Sequence, residues 1–546
     1  MIQEDIKKII EKAVGKEVPN FSVEVPGEKS HGDYATNIAL ALAKKANKNP
    51  REVADEIVTA IGTHELFEKV EVAGPGFVNF YLSCDFFVSE LKKIDKNFGK
   101  NKTLKNKKII IEYTDPNILK EFHIGHLMSN AIGEALSRIF EFQGAKIKRA
   151  NYQGDVGMHV AKAVWGKMKN PQKTWAEAYA FGATEYESNE AAKQEMVVLN
   201  KKIFDKTDKS VNKLYAQGRK ESLAYFEKIY KKLGTKFDRL FFESEVAGIG
   251  KKTVEEGLNK GIFEVGEKSA IVFRGEKVGL HTRVFLNSEG LPTYEAKDLA
   301  LPGLKYKYCK YDQSVIITAT EQNAYFSVML AALKQLSPKL AEKTHHIGHG
   351  MMRLPEGKMS SRTGKVITAE FLIENVKSAV SEKAADKNIS EEIKEQIAIG
   401  ALKYSMLKQN IGGDIVFDLE KSVSFEGDSG PYLQYSYVRA LSIGKKAKGE
   451  KVKASFKKIP NEIGRLEKMM ARFPEVVEKA STEYEPHVIT LYVTELAREF
   501  NNYYAHHKIV DKEDEFSPYK VALAEAFSRI MENGLWLLGI EAPQKM

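Results

Sequence analysis

Apolar residues near the start of the chain follow two different spacings. Within residues 2–13 the apolar residues recur at helical intervals, which predicts an amphipathic helix. Pro50 suits the first turn of a second helix, which Gly62 would end. Residues 67–82 are strand-like around a Gly-Pro-Gly turn. We therefore predict a small α+β domain over residues 1–95.

The pattern changes after a stretch that holds eight lysines in residues 92–108. We interpret this stretch as a solvated linker, and a nucleic-acid contact stays open as the alternative. Three isoleucines at 109–111 then predict a buried parallel strand. A helix-like stretch over 123–142 and a strand-like one over 146–152 follow. This order of elements is a βαβ unit.

The βαβ unit indicates a Rossmann-type domain with a parallel sheet, which we place at residues 105–415. Residues from about 165 to 285 are charged and partly helical, and we predict that they form an insertion into this domain. From residue 391 onward the apolar residues recur mostly at helical spacing. They predict a bundle of about four helices, which we place at residues 420–546. The expected fold class is therefore multidomain α/β, with an N-terminal α+β domain and a C-terminal α-helical bundle.

Composition narrows the class of protein without identifying its function. The 546 residues include 83 Lys and Arg against 74 Asp and Glu, and the net charge of +9 only weakly suggests a polyanionic partner. The two cysteines, Cys84 and Cys309, are too few for a disulfide framework or a four-cysteine zinc site. Apolar runs fall short of the roughly 18–20 residues of a membrane helix, and the charged N-terminus lacks a signal-peptide core. We therefore expect a soluble, cytoplasmic protein without membrane contact or a protein-bound metal.

A His-Ile-Gly-His motif at 123–126 stands where the predicted strand and its loop meet a helix. The free N–H groups and the positive dipole end of a helix N-terminus attract phosphate. Gly125 allows a flat ring to approach the backbone, and His123 and His126 can both donate hydrogen bonds to phosphate oxygens. The same tetrapeptide recurs at 346–349 without this context. We interpret the second copy as the end of a strand.

The second copy leads into a Gly-rich, cationic loop at 357–365, more than 230 residues beyond the first motif. Such a loop can close over a triphosphate and neutralise charge that develops on phosphorus. Alone, the tetrapeptide is explained equally well by chance or by core packing, and the loop alone is better explained as a solvated surface loop. Their pairing in this order is what predicts a nucleotide site.

The paired motifs resemble the two signatures of the class I aminoacyl-tRNA synthetases, and other segments narrow the resemblance to the arginyl-tRNA synthetase family. These segments stand at 32–37, 112–117, 151–157, 294–300, 321–322, 427–440 and 534–540, followed by the terminal Met546. The resemblance covers nearly the whole chain. It implies an enzyme that attaches L-arginine to its cognate tRNA.

The resemblance implies that the reaction has two steps. ATP and arginine would form an arginyl adenylate with release of pyrophosphate, and the arginyl group would then pass to the 3′-terminal ribose of the tRNA. Catalysis would consist mostly of positioning and charge stabilisation, with Mg²⁺ bound through the phosphates. The catalytic residues would be His123, His126, Lys120 and Lys358. The ATP-binding residues would be His123, Gly125, His126, Lys120, Lys358, Met359, Ser360 and Ser361.

The second signature departs from the usual pattern of the family. Ser361 stands in place of its second lysine, a variant that is familiar in arginyl enzymes. A lysine just upstream of the first signature is thought to compensate there, and Lys120 occupies that place. Glu121 follows it where the family often has proline. The neighbouring carboxylate puts the contact of Lys120 with phosphate in doubt.

A guanidinium substrate needs carboxylates in a fork and a planar face on which to stack. The resemblance implies that five residues bind arginine: Glu112, Asn117, Tyr294, Asp298 and Gln322. Glu112 and Asp298 would be the guanidinium partners, and Tyr294 lies one helical turn before Asp298. Without the resemblance each of the five is an ordinary polar residue.

The family likeness also implies that the C-terminal bundle reads the anticodon and that the N-terminal domain contacts the tRNA elsewhere. We expect exposed aromatic residues, among them Tyr437, to stack on unpaired bases, although any single one could belong to the core. The residues expected to bind tRNA are Tyr435, Arg439, Tyr503, Tyr504 and Met546. We also expect a monomer.

Three other classes of protein remain as alternatives. The zinc-dependent cysteinyl synthetase is disfavoured by the two cysteines. A nucleotidylyltransferase shares the first signature but is usually shorter and lacks the helical bundle. A non-catalytic tRNA-binding paralogue is disfavoured by the intact His123, His126 and Lys358.

Overall fold

The structure of the protein is a computed structural model that describes residues 2–15, 18–355, 367–383 and 389–546. The chain folds into two compact units, each built from more than one segment. The first unit contains Met1–Gly99, Arg439–Val477 and Glu495–Asn533. The second contains Lys100–Val438, Glu478–Thr494 and Gly534–Met546.

The N-terminal part of the first unit is an α+β domain, as predicted. Its antiparallel sheet has the order β1-β2-β4-β3. The strands are β1 (Val23–Glu24), β2 (Tyr34–Thr36), β3 (Phe67–Ala73) and β4 (Phe77–Leu82). The helices are α1 (Ile2–Val14), α2 (Ile38–Ala46), α3 (Pro50–Ile61) and α4 (Cys84–Lys92), with a 3₁₀ turn at Lys29–His31. The apolar faces of α1 and α3 and one face of the sheet form its core, in which Ile6, Val53 and Phe80 are buried.

A parallel sheet of five strands organises the second unit. The strands are β5 (Lys108–Glu112), β6 (Lys146–Gln153), β7 (Arg239–Phe242), β11 (Gln313–Ala319) and β12 (Thr344–His349). Their order is β12-β11-β5-β6-β7, and every neighbouring pair is parallel. The chain therefore winds outward from β5 in one direction and then returns to β11 on its other side. The crevice beyond the carboxyl ends of β5 and β11 is the switch point at which ligands bind in such sheets.

The strand β5 and the helix α5 (Ile124–Phe142) agree closely with the sequence prediction. The three isoleucines of β5 are buried, and α5 connects β5 to β6 as a βαβ crossover. Because the helix begins directly after His123, the first signature lies at the switch point.

The predicted single insertion at about 165–285 is wrong in one respect, because β7 belongs to the parallel sheet. The additions are therefore two separate pieces, one on each side of β7. The first is helical: α6 (Met158–Lys169), α7 (Trp175–Ser188), α8 (Glu190–Asp205) and α9 (Lys209–Lys232). The second contains α10 (Glu243–Asn259), β8 (Glu264–Val265), β9 (Ile271–Phe273), β10 (Arg283–Leu286), α11 (Tyr294–Cys309) and 3₁₀ turns at Glu267–Ser269 and Gly275–Val278.

The remaining elements are mostly helical, and residues 430–537 form the predicted C-terminal bundle. Between β11 and that bundle lie a 3₁₀ turn (Thr320–Gln322), α12 (Asn323–Leu336), α13 (Pro338–Glu342), β13 (Met352–Arg353), α14 (Ala369–Lys383), α15 (Glu391–Leu407), β14 (Ile415–Val416) and α16 (Leu419–Ser422). The bundle contains α17 (Gly430–Gly449), α18 (Arg465–Ala471), α19 (Phe473–Glu483), α20 (His487–His506) and α21 (Ser517–Leu537). Within the described ranges, none of the helices combines the length and the apolar character that a membrane span requires.

Candidate active site at the switch point of the parallel sheet

The two histidines of the first signature cap the helix α5 reciprocally. The backbone N–H of Gly125 donates to His123 Nδ1 at 3.1 Å, and the backbone N–H of His123 donates to His126 Nδ1 at 3.1 Å. Their rings stack with centroids 3.6 Å apart. Because both Nδ1 atoms accept, each neutral ring carries its proton on Nε2 and can donate it to a ligand.

Burial, and to a lesser degree the charge of Lys120, lowers the pKa of His123. The pKa of His126 is lowered by burial, by His123 and by Lys120. Both rings are therefore neutral donors near pH 7. The close approach that Gly125 permits is that of the His123 ring, because a Cβ at Gly125 would lie 3.1 Å from it.

The loop between β5 and α5 has an unusual backbone. Thr114, Asp115 and Leu119 have φ angles of 83°, 45° and 63°, in a region that non-glycine residues rarely adopt. Hydrogen bonds hold this conformation: the N–H of Thr114 donates to Ser129 Oγ at 2.9 Å, and the N–H of Tyr152 donates to Asp115 Oδ1 at 2.6 Å. Strain of this kind persists where the surroundings over-determine the backbone, as they do in binding sites.

A cavity of about 390 Å³ opens beside this loop and brings together all five residues predicted to bind arginine. It is lined by Glu112, Asp115, Asn117, Tyr152, Gly154, Glu243, Arg283, Tyr294, Glu295, Asp298, Thr318, Gln322, Tyr325 and Phe326. These residues come from the ends of β5, β6, β7 and β11, from β10 and from the starts of α11 and α12. Residues more than 200 positions apart in the chain, from Glu112 to Phe326, therefore face one space.

Asp298 lies partly buried in the cavity wall, where the hydroxyl of Tyr325 donates to its Oδ2 at 2.6 Å. Burial raises the pKa of Asp298 to about 7, and the Glu243 and Glu112 carboxylates act in the same direction. Burial and these two carboxylates therefore outweigh the Tyr325 hydrogen bond and the nearby charge of Lys297, which lower the pKa of Asp298. A cationic ligand would supply further positive charge there.

Three of the five carboxylates that line the cavity already have internal cations. Lys305 Nζ lies 3.0 Å from Glu112 Oε2, Lys297 Nζ contacts Glu243 Oε2, and Arg283 Nη1 lies 3.1 Å from Glu295 Oε1. Sequence reasoning missed all three cations, because no local pattern reveals a partner so far away in the chain.

The other two carboxylates, Asp115 and Asp298, form no ion pair with any described residue. Burial, and then the charge of Glu112, raises the pKa of Asp115 as well. Within the described part of the chain, the site therefore holds two carboxyl groups that form no ion pair. The sequence analysis also did not predict Asp115 as a site residue, although Asp115 lies within the segment 112–117 that contributed to the family resemblance.

Tyr294, the first residue of α11, is half-exposed at the cavity mouth. Lys297 Nζ lies 4.3 Å from the centre of its ring. Burial raises the pKa of Tyr294 to about 12, so its hydroxyl remains a donor. Since a cation already lies on the Tyr294 ring, a guanidinium that stacks there would use the other face or share this one with Lys297.

Asn117 and Gln322 lie at the cavity edge on opposite sides of the switch point. A Cβ at Gly154 would come within 2.0 Å of Asn117 Oδ1, so the glycine leaves the space that the amide occupies. Gln322 ends the 3₁₀ turn after β11 and precedes α12. Both residues therefore present neutral polar groups beside the carboxylates.

The second His-Ile-Gly-His copy is the end of β12, as predicted. His346 Nε2 lies 2.7 Å from Thr318 Oγ1, and its ring stacks on Phe326 with centroids 4.0 Å apart. Burial lowers the pKa of His346 to about 4. This copy thus supports the cavity wall instead of capping a helix.

The second signature, with Lys358, Met359, Ser360 and Ser361, lies outside the described residues. The described chain that follows it pairs with the first signature. The N–H of Ile124 donates to Ile367 O at 3.1 Å, and the N–H of Ala369 donates to Phe122 O at 2.7 Å. The chain therefore returns to the start of α5 directly after the second signature.

Lys120 lies within electrostatic reach of both histidines, as their lowered pKa values show. Its Nζ is 4.5 Å from the ring centre of Tyr179, on α7. The described residues include no carboxylate that forms an ion pair with Lys120. Glu121 thus does not neutralise Lys120 directly.

The residues predicted to contact tRNA differ in exposure. Tyr435 and Tyr504 are 38% and 43% exposed, whereas Tyr437 is 2% exposed, so its prediction as an exposed aromatic was wrong. In the first unit, Arg439 contacts Asn501 and lies 5.0 Å from the Tyr504 ring.

Tyr503 and Met546 complete the predicted tRNA set. The Tyr503 ring, also in the first unit, stacks on His507 with centroids 4.2 Å apart. Met546, in the second unit, is partly exposed.

Comparisons with known proteins agree with this geometry. Residues 88–419 match the family model described as tRNA synthetases class I (R), catalytic domain. The parallel sheet and the histidine signature at its switch point are thus those of a class I aminoacyl-tRNA synthetase. Residues 1–82 match the model of the arginyl tRNA synthetase N-terminal domain, and residues 433–546 match the DALR anticodon-binding domain. The chain belongs to the arginyl-tRNA synthetase family.

Relatives and solved structures match over the full length of the chain. The arginine–tRNA ligase of Clostridium acetobutylicum is 32% identical and covers 100% of this chain and 99% of its own. That of Clostridium perfringens is 31% identical over 99% and 100% of the two chains. The structure of Thermus thermophilus arginyl-tRNA synthetase superposes with a TM-score of 0.80 at 24% identity, covering 100% of both chains. At that identity it shows a shared fold.

Proposed function

We propose that this protein attaches L-arginine to its cognate tRNA in two ATP-dependent steps. The observation that carries the proposal is the excess of carboxyl groups in the cavity, in which Asp115 and Asp298 form no ion pair with any described residue. Arginine carries two cationic groups, its guanidinium and its α-ammonium. A cavity with two carboxyl groups outside any ion pair is complementary to such a ligand and disfavours neutral amino acids.

In the first step the arginine carboxylate attacks the α-phosphorus of ATP, and pyrophosphate leaves. Glu112, Asp298, Tyr294 and Gln322 would hold the guanidinium, and Asn117 would hold the α-amino end. Bound in this way, the substrate carboxylate is presented to the switch point, where the attack becomes effectively unimolecular.

His123, His126 and Lys120 would hold the phosphates during that step. The two imidazoles donate from Nε2, because their Nδ1 atoms already accept backbone N–H groups. Lys358, Met359, Ser360 and Ser361 would add contacts from the second signature. Gly125 would contribute by keeping the start of α5 open.

Mg²⁺ would enter bound to ATP and stabilise the charge of its phosphates. The imidazole N–H groups and the ammonium beside the first signature suit phosphate oxygens and not a metal ion. Among the described residues no cluster of three or more metal-binding side chains occurs. We therefore expect the ATP phosphates, and not protein side chains, to hold the ion.

We further propose that the three parts of the chain divide the binding of tRNA. Residues 1–95 would contact the outer corner of the tRNA, residues 105–415 would carry out both steps, and residues 420–546 would read the anticodon. The ranges of the matched family models support this division. Tyr435, Arg439, Tyr503, Tyr504 and Met546 are the proposed contacts of the last part. We propose a monomer that acts in the cytoplasm, which sedimentation and cell fractionation would test.

The proposal is tested by amino-acid-dependent exchange of labelled pyrophosphate into ATP. We expect exchange with arginine and none with citrulline, which has the same shape without the guanidinium charge, or with cysteine. We also expect exchange to require the cognate tRNA. Exchange without any amino acid would indicate a nucleotidylyltransferase, and no exchange under any condition would indicate a tRNA-binding protein without this activity.

A further inference from the structure

Helices α7 and α9 of the first added piece enclose the loop that carries Lys120. From α9, Ser222 Oγ accepts a hydrogen bond from the N–H of Leu119 at 2.9 Å, and the Tyr225 hydroxyl lies 3.4 Å from the N–H of Phe122. A Cβ at Gly218 of α9 would come within 2.7 Å of Leu119 Cδ2 and 2.6 Å of Trp175 Cζ2. The backbone around Lys120 is therefore fixed by α9, and the start of α7 packs against the same place.

Helix α7 itself is held tightly against α6. A Cβ at Gly166 would lie 2.0 Å from Ala178 O, and a Cβ at Gly182 would lie 2.1 Å from Lys162 O. Such close approach of two helix backbones is possible only with glycine at both positions. Tyr179, next to Ala178, is thus presented by a helix that has little freedom to shift.

Tyr179 lies between the phosphate side and the amino-acid side of the candidate site. Lys120 Nζ is 4.5 Å from its ring centre. Tyr179 also lies close enough to Tyr294 to contribute to the raised pKa of that residue.

We propose that Tyr179 is a positioning residue for Lys120, holding the lysine ammonium beside the first signature through its aromatic face until the phosphates of ATP bind. An aromatic face attracts an ammonium without neutralising it, whereas a carboxylate at this place would compete with the phosphates. The arrangement suits a lysine that must deliver its charge to a ligand. This inference rests on the proposed function, because it assumes that Lys120 contacts ATP.

The chain offers a matched control on the same helix. Lys162 Nζ lies 3.8 Å from the ring centre of Tyr186, also on α7, and Tyr186 does not line the cavity. Replacing Tyr186 by Leu removes the same type of contact at a place where no role in the reaction is proposed.

The test compares arginine-dependent pyrophosphate exchange, with tRNA present, for Tyr179→Leu, Tyr179→Phe, Tyr186→Leu and Lys120→Met. We expect Tyr179→Leu to lower kcat/KM for ATP about tenfold, while KM for arginine changes by less than about twofold. Tyr179→Phe keeps the aromatic face, and we expect it to restore activity to within about twofold of the parent. Tyr186→Leu should match the parent, and thermal unfolding of each variant reports any loss of folding.

The decisive measurement is the effect of Tyr179→Leu in the Lys120→Met background. If Tyr179 acts through Lys120, the second change costs less than about twofold further. An unchanged tenfold loss in that background, or an equal loss for Tyr179→Phe, would overturn the inference. Arginine-dependent exchange that is equal in the parent and in Lys120→Met would also overturn the inference about Tyr179. That result would leave the proposed function intact. Absence of exchange in the parent would instead contradict the proposed function.

Discussion

Lys305 and Glu112 form an ion pair in which Nζ and Oε2 are 3.0 Å apart and both side chains are buried. Glu112 ends the central strand β5, and Lys305 lies on α11, two helical turns after Asp298. Glu112 and Asp298 are the two carboxylates proposed to bind the guanidinium. The ion pair therefore links Glu112 to the helix that carries Asp298. Its removal should affect both folding and substrate binding.

Lys305→Met should lower the free energy of unfolding by about 3–5 kcal/mol, because it leaves a buried carboxylate without its partner. Urea unfolding of the parent, of Lys305→Met and of Lys305→Arg measures this. The arginine variant keeps the charge and should lose less. The double variant Glu112→Gln/Lys305→Met should regain stability but bind arginine poorly. Equal stability of Lys305→Met and the parent would show that the pair does not stabilise the fold.

The pKa of about 7 for Asp298 predicts that arginine binding depends on pH. Because the folded-state pKa is raised, the carboxyl is mostly protonated below pH 7 and ionised above it, and a guanidinium prefers the ionised form. Binding should therefore tighten as the pH rises to about 7 and then level off, with up to about tenfold weaker binding for each unit below that value.

Calorimetric titration of arginine at pH 6, 7 and 8 would measure this dependence and the proton released on binding. Asp298→Asn should bind arginine weakly and lose most of the pH dependence, while KM for ATP stays close to that of the parent. The same dissociation constant at pH 6 and pH 8 for the parent protein would contradict the prediction. So would equal losses of arginine and ATP binding in the variant, since they would indicate structural damage.

The local parts of this fold follow from the sequence, and the distant pairings do not. Strand β5 and helix α5 have strong local signals: an isoleucine run, a histidine at the helix start and a glycine after its end. Strand β7 has only four residues in a charged stretch, and its pairing with β6 joins segments almost 90 residues apart. The sequence therefore predicted an uninterrupted insertion where the structure has two added pieces.

In the candidate site, too, some features could be predicted from the sequence and others could not. The five residues expected to bind arginine line one cavity, because they were placed by a family resemblance that already contains three-dimensional information. The cations that pair with the carboxylates were not predicted, since Lys305 lies almost 200 positions from Glu112 and nothing local marks it. The contact of Lys120 with Tyr179 is likewise visible only in the folded chain.

Gly154→Ala should disturb the arginine site with little effect on folding. The added Cβ would come within 2.0 Å of Asn117 Oδ1, a flexible side-chain end that can move away. We expect KM for arginine to rise about tenfold, because the displaced amide no longer holds the α-amino end, while KM for ATP is unchanged. Gly248→Ala is the control, since a Cβ there meets nothing within 4 Å. If Gly154→Ala still worsens KM for arginine in an Asn117→Ala background, the effect does not pass through Asn117.

Variants of Tyr435 and Tyr437 test tRNA binding and core packing in the C-terminal bundle separately. Tyr437 is 2% exposed, and its hydroxyl accepts a hydrogen bond from Gln544 Nε2 at 3.3 Å. Tyr437→Ala should therefore lower the free energy of unfolding by about 3–5 kcal/mol, as for other large aromatic residues removed from a core.

Tyr435, two positions earlier, is 38% exposed, and we propose that it stacks on an unpaired base. Tyr435→Ala should leave urea unfolding within about 1 kcal/mol of the parent while raising KM for tRNA about tenfold, because a stacked base contributes on the order of 1–3 kcal/mol. Aminoacylation at varied tRNA concentration measures KM, and Tyr435→Phe, which keeps the ring, should behave like the parent. An unchanged KM for tRNA in Tyr435→Ala would remove this residue from the proposed tRNA surface. A loss of stability equal to that of Tyr437→Ala would instead place its ring in the core.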